Sequence, residues 1–81
     1  MARIGTIRQS ERDRKVTRLH DLTDCEYSVY EVEGRTFLQL DTLGSKERQD
    51  KGQPSQILQL DEEIARQLLS VLRSAFPGID R

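Results

Sequence analysis

Residues 25–43 read Cys25-Glu-Tyr-Ser-Val-Tyr-Glu-Val-Glu-Gly-Arg-Thr-Phe-Leu-Gln-Leu-Asp-Thr-Leu43. Tyr27, Val29, Tyr30 and Val32 suit a pleated surface and predict a strand over Cys25–Val32. Leu38 and Leu40 alternate with polar neighbours and predict a second strand over Thr36–Leu43. Between them Glu33-Gly34 suits a tight two-residue hairpin, because glycine adopts positive φ without a steric cost. That loop sets Val32 opposite Arg35, Tyr30 opposite Phe37 and Tyr27 opposite Leu40. Opposed residues share a face. One face then carries Tyr27, Val29, Leu38 and Leu40, and the other Ser28, Tyr30, Val32, Arg35, Phe37 and Gln39. A slip of one residue would exchange the two faces.

Toward the C-terminus, residues 44–54 form a polar loop punctuated by Gly44, Gly52 and Pro54. Ser55–Leu60 alternates again and predicts a strand, with Leu58 and Leu60 joining the apolar face. A helix is expected over Glu62–Phe76. Asp61 suits its N-cap, and Glu62 and Glu63 sit where the helix dipole favours negative charge. Ile64, Ala65, Leu68, Leu69, Val71, Leu72, Ala75 and Phe76 recur at helical spacing, and Pro77-Gly78 ends the run. This helix is expected to cover the apolar face. Toward the N-terminus the pattern weakens, with a short strand expected near Ile4–Ile7 and an edge strand over Val16–Leu22. The fold class is α+β: an antiparallel sheet of about four strands backed by one C-terminal amphipathic helix. Residues 1–15 are expected to be a basic arm, 16–76 a single domain and 77–81 a tail.

Eighty-one residues make one domain with a small core. Cys25 is the only cysteine and His20 the only histidine, so neither an internal disulfide nor an ordinary zinc site supplements that core. Self-association is the remaining common supplement, and a homodimer is expected. The single cysteine and the lack of a signal-like or membrane-length apolar run place the chain in the cytoplasm as an expectation. No phosphate-binding glycine motif, Gly-x-Ser-x-Gly or His-Glu-x-x-His occurs, and no cofactor is expected. His20, Asp24 and Cys25 make a poor nucleophile set, and Glu62-Glu63 is explained by its helix position. The expectation is therefore a binding protein and not an enzyme.

The net charge is −1, but it is unevenly placed. Residues 1–18 hold six cations against two carboxylates, and residues 19–45 one cation against six carboxylates. Tyr30 and Phe37 beside Arg35 on a polar face are what a stacking platform for bases requires. Arg12, Arg14, Lys15 and Arg18 from the arm, with Lys46, Arg48 and Lys51 from the long loop, would form a basic rim for phosphates. Single-stranded nucleic acid is the expected partner. The same residues also fit a cross-strand aromatic pair, part of a dimer interface and a solvated loop, in which case the chain is a protein-interaction or accessory subunit.

The hairpin Tyr30-Glu-Val-Glu-Gly-Arg-Thr-Phe37, followed by Leu58-Gln-Leu-Asp-Glu-Glu63 and one amphipathic helix, resembles the positive-cofactor-four transcriptional coactivator family and its small bacterial relatives. The resemblance spans roughly residues 16–76 and rests on the order of elements. It implies a curved antiparallel sheet backed by a helix, dimerisation through the helices, and single-stranded DNA bound by the sheets. Tyr30, Arg35 and Phe37 would then contact bases or backbone, and Lys46, Arg48 and Lys51 phosphates.

Overall fold

A computed structural model describes residues 1–12, 18–44 and 55–81. It contains β1 (Ala2–Arg3), β2 (Cys25–Val32), β3 (Arg35–Thr42), β4 (Gln56–Asp61) and α1 (Glu62–Ala75). The strands form one sheet in the order β1-β4-β3-β2. The hairpin register is the one the turn predicts: Val32 pairs with Arg35, Tyr30 with Phe37 and Tyr27 with Leu40. Glu33 and Gly34 both take positive φ, 51° and 75°, the backbone that a two-residue turn needs to match the twist of its strands. At the other end of the hairpin, Leu43 N–H donates to the Asp24 carbonyl and the Thr23 hydroxyl to the Gly44 carbonyl.

β4 adds antiparallel to β3, with Leu38 opposite Leu60 and Leu40 opposite Leu58. The sheet is not wholly antiparallel, because β1 runs parallel to β4, Ala2 beside Leu58 and Arg3 beside Gln59. Ile4 N–H extends this pairing to the Gln59 carbonyl at 2.9 Å. A parallel neighbour needs a long crossover, and the whole β2–β3 hairpin lies between β1 and β4 in sequence. The fourth strand therefore comes from Ala2–Arg3, not from Ile4–Ile7. Residues 18–22 form no strand, and 16–17 lie outside the described residues.

Asp61 ends β4 and caps α1 directly, its Oδ1 accepting from Ile64 N–H at 2.9 Å. The helix closes at Phe76, whose N–H donates to the Leu72 carbonyl at 2.8 Å, and Arg73 holds Asp80 beyond it at 3.0 Å. Because no residue separates strand from helix, α1 leaves the sheet in a fixed direction and packs chiefly on β4. Leu60 and Ile64, 2% and 3% exposed, are the fully buried apolar side chains of the described residues. The expectation that the helix covers the whole apolar face is thus corrected. Tyr27 and Val29 on the far strand remain 74% and 63% exposed.

Candidate nucleic-acid interface

The register arranges the polar face in rows running across the strands. One row reads Ser28, Gln39, Gln59 and Arg3, and the next Tyr30, Phe37 and Asp61. Glu26, Asp41 and Ile57 make a third. Side-chain amides tie the first row together. Gln59 Nε2 donates to Gln39 Oε1 at 2.9 Å, and Gln39 Nε2 donates to Asp41 Oδ1 at 2.9 Å. Each glutamine thus has a fixed orientation, and each still carries hydrogen-bonding capacity not used in this chain.

Two guanidinium groups lie over the Phe37 ring. Arg35 Cζ is 5.1 Å from the ring centroid and Arg3 Cζ 5.7 Å, both within the range of a cation–π attraction. Phe37 is half-buried, whereas Tyr30 beside it is 47% exposed. Phe37 therefore acts as a platform that holds two arginines, and Tyr30 is the ring more open to a ligand. Arg35 is partly committed, since its Nη2 lies 3.3 Å from Asp61 Oδ2. Asp61 serves the helix cap with one oxygen and Arg35 with the other. Arg3 makes no ion pair with a described residue.

Charge divides the face into two corners. At the Arg35 end a cleft is lined by Gly34, Arg35, Thr36, Asp61, Glu62 and Glu63, so three carboxylates stand beside one guanidinium. The Arg3 corner is flanked instead by neutral Gln59 and Ile57.

Tyr30, Arg35 and Phe37 are brought together as the sequence predicts. Arg12 and Arg18 are exposed in coil, and neither side chain bonds or pairs with that trio. Arg14, Lys15, Lys46, Arg48 and Lys51 lie outside the described residues. Arg3, Gln39 and Gln59 join the site in addition. Arg3 reaches it only through the parallel β1–β4 pairing, which leaves no periodic signal in two residues. Gln39 and Gln59 were visible as polar positions of alternating strands, but their partnership needed the β3–β4 register.

Among the described residues no group of three His, Cys, Asp or Glu side chains converges as a metal site, and no helix is long and apolar enough to cross a membrane. No protein-family model, curated protein or solved structure matches this chain.

Proposed function

We propose that the polar sheet face binds single-stranded nucleic acid, DNA as the first candidate, without catalysis. The observation that carries this reading is the cluster of two guanidiniums on Phe37 beside the open ring of Tyr30. A base stacked on an aromatic side chain contributes roughly 1–3 kcal/mol in any sequence. Tyr30 offers that surface. Arg3 and Arg35 present N–H donors to phosphate oxygens or stack on a neighbouring base. The Gln39 and Gln59 amides can donate to and accept from exposed base edges. Single strands suit such a face better than a duplex, whose bases are already stacked and paired.

The reading favours weak to moderate affinity, because Asp41, Asp61 and Glu26 share the face. The resemblance to the positive-cofactor-four family points to the same partner class. The basic rim of Arg12, Arg14, Lys15, Arg18, Lys46, Arg48 and Lys51 remains part of the proposal as a source of phosphate contacts.

Fluorescence anisotropy with a labelled single-stranded oligonucleotide, beside the duplex of the same sequence, tests the reading at low and physiological salt. Micromolar or tighter binding to the single strand, weakening with salt, is the expected result. Arg3→Ala should weaken it and lower the salt slope by about 0.7, the share of one phosphate contact on a single strand. No binding at low salt would end the proposal and leave the accessory-subunit reading.

A further inference from the structure

The hydrogen bonds that run from Gln59 through Gln39 to Asp41 have a direction, and Asp41 sets it. A carboxylate only accepts, so Gln39 turns its amide nitrogen toward Asp41 Oδ1, 2.9 Å away. Gln39 then meets Gln59 with its oxygen, and Gln59 Nε2 donates to it at 2.9 Å. Turning the Gln39 amide over would set oxygen against oxygen and nitrogen against nitrogen. The second N–H of Gln39 Nε2 is left over, beside a carboxylate whose oxygens each have lone pairs to spare. Asp41 is half-buried and makes no ion pair with a described residue. Directly opposite it on β2 stands Glu26. Like charges opposed across a strand pair destabilise it, and on a face that receives a polyanion they also repel phosphate. Such a carboxylate is useful there only if the ligand brings donors to it.

The bases of a single strand expose their Watson–Crick edges, and the edges differ. Adenine sets one amino donor beside the N1 acceptor, and cytosine one beside N3. Thymine has a single N3–H between two carbonyls. Each of these turns an acceptor lone pair toward the carboxylate. Guanine alone among them has two adjacent donors, N1–H and the N2 amino group, with the O6 acceptor next to N1. The two oxygens of Asp41 match the donor pair, and the spare N–H of Gln39 matches O6.

We propose that Asp41 and Gln39 read guanine, so that the single-strand site prefers guanine-containing sequences. Asp41 accepts from N1–H and the N2 amino group, and Gln39 donates to O6. The inference rests on the nucleic-acid reading of this face and adds a sequence preference to it. Stacking on Tyr30 is indifferent to sequence. The Gln39 row separates Tyr30 from the Asp41 row, so the base that is read is a different one from the base that stacks.

The test is equilibrium binding of the full chain, by fluorescence anisotropy at low salt, to thymine oligonucleotides of about ten residues. One is all thymine, and the others carry one central guanine, hypoxanthine or adenine. Hypoxanthine lacks only the N2 amino group of guanine. The guanine strand should bind about 5- to 100-fold tighter than the adenine strand, the usual discrimination of a bidentate base contact, with hypoxanthine between them. Asp41→Asn should weaken the guanine strand at least about fivefold, yet tighten the all-thymine strand about two- to fivefold as a negative charge leaves the face. Those opposite signs distinguish base reading from a purely structural or purely electrostatic role. Equal binding of the strands would overturn the guanine inference and leave the single-strand reading standing. Hypoxanthine bound as tightly as guanine would also overturn it, as would a change of the same sign and size on every strand in Asp41→Asn. Failure to bind any strand would overturn both readings. Should Asp41→Asn not fold, the order of the wild-type affinities decides.

Discussion

The two faces of this sheet are built from alternate residues of the same strands, and they are completed differently. On the polar face the side chains find partners within the chain: Gln59 with Gln39, Gln39 with Asp41, Arg35 with Asp61, and both arginines with Phe37. On the apolar face only the Leu60 corner is closed, where Ile64 is buried nearby, and Tyr27 and Val29 stand open. Polar groups can be exposed and satisfied together, because water supplies whatever bonds remain. Apolar groups can be satisfied only by cover. The polar face is therefore the candidate for a reversible ligand.

The largest expected effect lies at the closed corner. Leu60→Ala should cost about 2–4 kcal/mol of stability in chemical denaturation, the usual range for a large buried aliphatic side chain cut to alanine. Loss of less than ~1 kcal/mol would show that the Leu60 corner is not the centre of the fold.

The hairpin on which both faces depend was legible because Glu33-Gly34 leaves one simple loop, and the loop fixes every pair from Val32–Arg35 to Tyr27–Leu40. β4 and α1 were legible for similar reasons, alternation followed by the Asp61 cap and a helical period. β1 was not, since two residues carry no period and their parallel partner lies more than fifty residues away. With β1 went Arg3, the cation that completes the Phe37 cluster. The reach of the helix was also hidden. An apolar stripe says that a helix face seeks cover, but the direction in which α1 leaves β4 decides how much of the sheet it can give in return. The rim cations could be listed from the sequence, but only placement in space assigns them to one face.

The next comparison sets the two tyrosines of β2 against each other. Tyr30→Ala should reduce single-strand affinity by about 5- to 30-fold, the loss of one stacked base at roughly 1–2 kcal/mol, and leave the oligomeric mass unchanged. Tyr27→Ala, on the opposite face, should change that affinity by less than about twofold. Equal losses of affinity from both substitutions would remove the assignment of binding to the Tyr30 face.

Asp61→Asn sharpens the electrostatics of the polar side. Asparagine retains the cap of α1, removes a negative charge and releases Arg35. Oligonucleotide affinity should rise about two- to fivefold at low salt, with the gain shrinking as salt is added. Asp61→Ala should instead destabilise the protein by about 1 kcal/mol through loss of the cap.

The smallest effect belongs to the turn that divides the strands. Glu33 holds φ at 51°, a conformation unfavourable for a residue with a Cβ. Glu33→Gly should raise stability by about 0.5–1 kcal/mol in urea unfolding with both faces unaltered. A decrease would mean that the carboxylate has a role the turn geometry does not explain.

The most direct test of the polar face follows the side-chain resonances of Gln39 and Gln59 and the Nε–H signals of Arg3 and Arg35 by NMR during titration with a short single-stranded oligonucleotide. The account predicts that these signals shift together and saturably, while the amides of Tyr27 and Val29 move least among the sheet residues. Unmoved glutamine and arginine signals, with binding absent or confined to other residues, would contradict it.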